Sequence, residues 1–401
     1  MNDEAAHLID SVIPEIPMRQ WVLSFPFKMR YILARNQSLV SKALKIYIQE
    51  IHSFQRRKAK SLGLKQVRCG AVTFIQRFGS ALNLNIHFHS LIPDGVFFLV
   101  GDKYQFYRFT APSFEELRGI VAKIRRKVLR FIEKSGFMED SQLGFDAESV
   151  GELQSLSISQ KAGFGGRAGS GLKRFGIKKL ATDPEEDPSS ANLDGFSLNA
   201  SVGVPAKDRK SLEQLIRYMA RGPLATERLS ESFPTQLVYR LKTVWRDGTT
   251  HISFSYLDFI ARLVALIPPP RMNMVRYHGC FASNFKGRRL IVKKPAKKTE
   301  NSAPAVEGVT LSLGLERAKR ERLRWAEMLK RTFKVDVTVC PKCSGRMEQI
   351  AVIKEKATAR KILECLGELS SFQSMAVAED RGPPIAPEFF TDNLDQRDPT
   401  W

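Results

Sequence analysis

Cysteine is scarce in this 401-residue chain: Cys69, Cys280, Cys340, Cys343 and Cys365 are few and odd in number. That argues against a disulfide framework and makes a reducing cytoplasm the simplest setting. No apolar run approaches the ~20 residues needed to span a bilayer. The opening Met1-Asn2-Asp3-Glu4 lacks the basic and apolar regions of a signal peptide, and no internal repeat is visible. Acidic residues are also in deficit, 42 against 63 Lys+Arg, for a net charge of +21. Such a charge speaks to a polyanionic partner rather than to a fold. An anionic membrane would want a concentrated basic amphipathic helix or a lipidation signal instead.

What is present begins with Leu82-Asn83-Leu84-Asn85-Ile86-His87-Phe88-His89. At a period of two this is a β-strand with Asn83, Asn85, His87 and His89 on one face and leucine, isoleucine and phenylalanine on the other. Two imidazoles on one strand face, about 7 Å apart at the backbone, make half a coordination shell for a metal ion. A hydrogen-bonded polar face accounts for the same pattern.

A second stretch, Ser211 to Arg221, carries Leu212, Leu215, Ile216 and Met219 at helical spacing. Ser211 and Gln214 fit a capping box, and Gly222-Pro223 stops the helix. Tyr218 falls on the polar side with Gln214, Arg217 and Arg221, where two guanidiniums can hold a phosphate beside a phenolic nucleophile.

These residues resemble the rolling-circle transposases of the insertion sequence ninety-one type, in the wider class of HUH (His-hydrophobic-His) single-strand endonucleases. The resemblance rests on Gln76 to His89, Ile216 to Leu224, Pro268-Pro269-Pro270-Arg271, Arg276-Tyr277-His278-Gly279 and Cys340-Pro341-Lys342-Cys343. It implies nicking and rejoining of single-stranded DNA at transposon ends. Tyr218 would form a 5′-phosphotyrosine, and His87 and His89 would hold Mg²⁺ or Mn²⁺. A third ligand is expected from Gln214 or Asn199. Arg77 joins Arg217 and Arg221 as an expected phosphate contact. Relatives with two tyrosines carry one where this chain has Gln214, so the likeness is to the single-tyrosine subgroup. They also carry a cysteine-rich zinc-binding segment ahead of this region, and this chain is expected to begin after it. A homo-oligomer and a nucleoid-associated location in a bacterial cytoplasm fit such a protein. A DNA-binding remnant without chemistry, or a metal-dependent oxygenase barrel built on the two histidines, are rival readings.

The expected fold is α+β, a central antiparallel sheet flanked by helices, with a small C-terminal α/β module. Residues 1–60 read as a mainly helical region with a short strand around Trp21 to Phe25, and 61–230 as the catalytic domain, whose consecutive strands over 71–109 read as a meander. The latter holds a glycine-rich, flexible insertion at about 136–192, including an acidic loop over 183–190. Ser113 and Glu116 cap a helix reaching about Lys134 whose Lys123, Arg125, Arg126, Lys127 and Arg130 could track a phosphate backbone. A hairpin and helix follow over 231–292, with His251 and His278 read as structural. A basic linker occupies 293–310, and a CxxC module 311–370 contains helix 313–333, strands 335–339 and 348–353, and helix 356–367. The tail 371–401 lacks periodicity. Cys340 and Cys343 have zinc-knuckle spacing and are a candidate Zn²⁺ site; a structural site needs four ligands, which Cys365 and Cys280 could complete, and a remnant or partner-dependent site is the alternative.

Overall fold

Asn36 shows how locally this chain punctuates itself: its side chain accepts from the Leu39 amide at 3.1 Å and so starts a long helix. The computed structural model describes residues 2–135, 150–176, 188–233, 236–245, 247–292, 325–340, 343–347 and 355–365. In chain order the first elements are α1 (Asn2–Ser11), β1 (Met18–Ser24), α2 (Phe27–Arg35), α3 (Gln37–Ser61), β2 (Gly70–Phe78) and β3 (Leu84–Pro93). There follow β4 (Gly95–Val100), β5 (Lys103–Arg108), α4 (Phe114–Lys134), α5 (Val150–Ile158), β6 (Lys173–Gly176), β7 (Ser190–Leu193), β8 (Phe196–Asn199) and β9 (Gly203–Val204). The catalytic-helix candidate is α6 (Arg209–Met219), followed by β10 (Leu229–Phe233), β11 (Gln236–Arg240), β12 (Thr249–Ser255), α7 (Tyr256–Leu266), β13 (Val275–Gly279) and α8 (Arg288–Ile291). Last come α9 (Trp325–Phe333) and α10 (Lys356–Cys365).

The main sheet runs β13-β2-β3-β1-β8-β7, with β9 added to β1, and every pairing is antiparallel. The strand-period reading of residues 83–89 decides how it is covered. Ile86 and Phe88 turn to one face, where α2, α3 and α4 supply Leu33, Tyr47, Ile51, Ile120 and Ile124 to the largest core. His87 and His89 turn to the other, where α1 and α6 pack through Leu8, Ile9, Leu215, Ile216 and Met219. Two helical layers thus enclose one sheet, the α+β architecture expected. Trp21 to Ser24, a short strand on propensity alone, lies at the centre of the sheet because Leu23 and Trp21 face the same core.

Helix α4 begins as its sequence requires. Ser113 Oγ accepts from the Glu116 amide and Glu116 accepts from the Ser113 amide, a complete capping box. Of its cations, Arg125 pairs with Asp194 and Lys127 with Glu50.

Three expectations change. The strands after Pro93 do not extend the main sheet as a meander; β4 and β5 form a separate two-stranded hairpin. Part of the supposed insertion is regular structure. Residues 150–176 supply α5, packed on α2 and α7, and β6, the edge of a second sheet ordered β10-β11-β12-β6. Its glycine-rich turn is held by the Asp258 carboxylate, which accepts from the Gly163 and Phe164 amides at 2.6 and 3.2 Å, so those amides do not cradle a phosphate. Finally, 335–339 is a turn with one bridge, Val339 to Arg346, rather than a strand. The acidic stretch 183–187, the linker 293–310, the helical stretch 313–324, the strand 348–353 and the tail 371–401 lie outside the described residues. Among the described residues no helix is long and apolar enough to cross a membrane.

A strand face, a tyrosine helix and two cations

Helix α6 is the element the site depends on. Its N-cap is Asp208, whose side chain accepts from the Ser211 amide at 3.0 Å, so the helix is capped three residues earlier than the Ser211 capping box read from sequence. The aspartate also removes the need for Gln214 at the third helical position. Leu212, Leu215, Ile216 and Met219 are buried, as their spacing required. At its far end the Met219 carbonyl, one of the acceptors a helix leaves unpaired, takes a hydrogen bond from Gln76 Nε2 at 2.8 Å. Gln76 is the cross-strand partner of His87. The last turn of α6 is therefore fastened to the sheet directly beside the paired histidines.

That fastening puts Tyr218 over them. The His87 and His89 rings are 4.8 Å apart, and the Tyr218 ring stands edge-on to His89 at 6.1 Å with the planes at 87°. Arg221, one turn on, lies 4.6 Å from the centre of the Tyr218 ring, and Lys242, just past β11, lies 4.9 Å from it. Both are within cation–π range. Arg221 Nε is buried with no hydrogen-bond partner among the described residues, so this guanidinium keeps donor capacity in hand.

Each histidine has a neighbour that sets its ring. His87 Nδ1 is 3.0 Å from the Asn85 carbonyl. A carbonyl can only accept, so Nδ1 carries the proton and Nε2 keeps its lone pair, the arrangement found behind most histidine ligands. His89 Nδ1 lies 2.7 Å from the Gln20 carboxamide. Gln20 can serve either tautomer: its Nε2 donates to a bare Nδ1, and with the carboxamide turned over Oε1 accepts from Nδ1–H and frees the Nε2 lone pair. Burial first, then the charges of His87 and Arg221, hold the His89 pKa well below its usual 6.5. A neutral imidazole is the form that ligates metal.

The pair fits a divalent cation as two of its ligands. Among the described residues no cluster of three or more His, Cys, Asp or Glu forms, so other ligands would be amides, water or a substrate phosphate. Gln214 lies one turn before Tyr218 on the same stripe of α6. Asn199 shares a cross-strand row with Val22 and His89, but its Oδ1 already accepts from the Ser201 amide and hydroxyl at 3.0 and 2.9 Å. At the other expected metal position, residues 340–345 close a turn in which the Ser344 amide donates to the Cys340 carbonyl and the Cys340 amide to the Gly345 carbonyl, each at 2.9 Å. Two thiols on a turn, with no third His, Cys, Asp or Glu beside them among the described residues, are half of the four ligands a structural zinc needs.

Two expected phosphate contacts are placed elsewhere. Arg77 is 2 % exposed and belongs to the opposite face of the sheet. Its guanidinium donates to the Leu266 and Ala34 carbonyls at 3.3 and 3.4 Å, serving the last turns of α7 and α2, where a cation suits the helix dipole. Burial pulls its pKa down to about 10. Arg217 turns back along α6 onto Glu213, which also takes Arg331 of α9 at 2.9 Å; Arg331 in turn reaches Asp10 of α1 at 2.7 Å. Burial opposes ionisation of Glu213, yet Arg331 and Arg217 hold its carboxyl below the usual range. Conversely, sequence reasoning missed Gln20, Gln76 and Lys242. Gln20 and Lys242 lie outside every motif, and Gln76 opens the histidine motif without a role of its own there; each reaches the site through long-range pairing or packing.

An antiparallel sheet presenting two histidines to a tyrosine helix, within a strongly basic chain, defines a protein built to work on a polyanion. The comparison with protein families makes this specific: residues 70–289 match the family described as Putative transposase (Y2_Tnp), and the chain belongs to that family. That span covers β2, β3, α6 and β13, so both histidines and the tyrosine lie within it. Membership makes this a DNA-binding, DNA-cleaving protein of transposition. No curated protein and no solved structure matches the chain.

Proposed function

We propose that this chain nicks and rejoins single-stranded DNA through Tyr218, in transposition of the rolling-circle type. The observation that carries the reading is the edge-on approach of Tyr218 to His89, with Arg221 and Lys242 over the phenol ring. The Tyr218 Oη–P bond forms as the P–O3′ bond breaks; the phenolic proton leaves to solvent, and the departing oxygen takes a proton to become a free 3′-hydroxyl. The product is a 5′-phosphotyrosyl strand whose bond energy is conserved, so a second 3′-hydroxyl can reverse the step and join ends. Arg221 and Lys242 stabilise the negative charge that builds on the phenolate and hold non-bridging phosphate oxygens. Gln76 and Gln20 position, respectively, the helix that carries the nucleophile and the ring of His89. Mg²⁺ or Mn²⁺ held at His87 and His89 would supply Lewis-acid polarisation of the scissile phosphate.

The test is a labelled single-stranded oligonucleotide incubated with Mn²⁺ and resolved on a denaturing gel. Wild type should give a shortened strand and a protein-linked strand, and Tyr218→Phe should lose both by at least about a thousandfold. Strand binding without an adduct from wild type would instead favour a DNA-binding remnant.

A further inference from the structure

The Arg276-Tyr277-His278-Gly279 motif plays no part in the tyrosine site. Strand β13 lies at the edge of the main sheet, and its alternation sends Tyr277 to the α1 face, where its hydroxyl bonds Glu4 at 2.8 Å, and His278 to the α3 face. Gly279 holds φ +58° and a Cβ there would run into the Cys69 carbonyl, so glycine is what lets the chain turn away and open a groove against α3.

That groove has a volume of about 610 Å³, within the range of small-ligand sites. Lys45 and Arg276 give it positive charge, and no carboxylate is among the described residues lining it. Phe285 forms one wall. Within it, His52 is 8 % exposed, and the Nε2 atoms of both His52 and His278 are buried without a hydrogen-bond partner among the described residues. A buried imidazole nitrogen left without a partner costs on the order of a hydrogen bond, and this groove contains two. His52 also makes a hydrogen bond to the Gly70 backbone, which leaves Nε2 as its open atom. Burial, then the charges of His278 and Arg56, bring the His52 pKa down to about 3; burial and Arg276 bring that of His278 to about 4. Both rings are therefore neutral near pH 7, in a positive field; His52, with its other ring nitrogen donating to the Gly70 backbone, offers Nε2 as an acceptor, and His278 offers the same in its Nδ1–H tautomer.

We infer that this groove holds one nucleotide of a DNA strand, with its phosphate on Lys45 and Arg276 and an amino-bearing base against the Nε2 atoms of His52 and His278. An exocyclic –NH₂ offers two hydrogens from one nitrogen, which two neighbouring acceptors can share; thymine carries a carbonyl in place of that amine, and its single N3–H can satisfy only one of the two acceptors. Phe285 supplies an aromatic face for the base. The inference rests on the DNA-binding part of the proposed function and is independent of the tyrosine chemistry.

The experiment is fluorescence anisotropy with the full chain and labelled oligo(dC), oligo(dA) and oligo(dT) of equal length, with EDTA present so that nothing is cut. Expected is about a tenfold preference for dC or dA over dT. His278→Phe should level it, and Arg276→Gln and Lys45→Gln, both at the groove mouth, should weaken all three strands alike. Unlabelled dCMP serves as the second arm: failure to compete at concentrations where the oligonucleotide saturates assigns the site to a strand, whereas full competition at those concentrations overturns that assignment in favour of a free nucleotide. Equal affinity for dC, dA and dT in wild type overturns the inference, as does a preference that survives His278→Phe. Should His278→Phe fail to fold, unchanged strand affinity in Arg276→Gln and Lys45→Gln is sufficient to reject it.

Discussion

The His89 imidazole and the Tyr218 phenol meet edge to face at 6.1 Å, one on the second strand of the sheet's central trio and the other on a helix that crosses its face. Nothing local enforces this approach. It follows from the burial of Leu215, Ile216 and Met219, which sets the rotation of α6, and from Gln76, which fixes its last turn. The tyrosine is thus held by groups that do not themselves touch substrate.

The two arginines flanking Tyr218 in sequence should behave differently. Arg221 lies on the phenol ring, whereas the end of the Arg217 guanidinium is engaged by Glu213; the Nε of each is without a partner among the described residues and does not distinguish them. Arg221→Gln should slow nicking about a hundredfold, the usual cost of losing one donor at developing charge. Arg217→Gln should leave the rate within a few-fold and lower stability by about 1 kcal/mol or less. Single-turnover cleavage and urea titration on both variants decide it; equal rate losses would mean that Arg217 leaves Glu213 when DNA binds.

Behind His89, Gln20 offers a prediction about metal. Gln20→Leu removes the side chain bonded to the ring's Nδ1, and loss of such an outer partner weakens a metal site by about 10- to 100-fold. Titration of the full chain with Mn²⁺ followed by electron paramagnetic resonance reads this without any turnover. An unchanged affinity would mean that the imidazole is oriented by packing alone, or that the ion sits elsewhere.

Much of this arrangement is legible in the sequence because its determinants are local. Alternation over 84–89 gives the two strand faces, i, i+3, i+4 spacing gives the buried stripe of α6, and Ser113 with Glu116 gives the start of α4. What is not legible depends on groups remote in the chain. Arg217 looks available until Glu213 is seen shared with Arg331 of α9. Arg77 sits in the same motif as the histidines, but neighbouring strand residues face opposite ways, and Gln76 rather than Arg77 turns toward the site. The 150–176 stretch looks loose because its helix packs on α2 and α7 rather than on its sequence neighbours.

Gln76→Leu should be costly out of proportion to its size. It leaves the Met219 carbonyl buried with no donor, a penalty of about 1–3 kcal/mol, and frees the turn that carries Tyr218. The expected result is a lower melting temperature together with faster amide exchange in the last turn of α6. Unaltered exchange there would show that the apolar stripe alone positions the helix.

Acid should destabilise the protein through its buried imidazoles. Burial brings His52 to about 3 and His278 to about 4, while the unfolded chain takes up protons near the ordinary 6.5. Between those values the unfolded state binds more protons, so the stability these rings contribute is complete above pH 6.5 and is lost as pH falls toward 4. Each neutral ring contributes a slope of about 1.4 kcal/mol per pH unit in that window. Carboxylates also protonate there, and the comparison with His278→Phe separates the two. Because that variant keeps the carboxylates and loses one titrating ring, its urea midpoints at pH 7, 6 and 5 should fall less steeply than those of wild type. Parallel slopes would place His278 in contact with water and charged in the folded state, which is incompatible with a neutral acceptor in the groove.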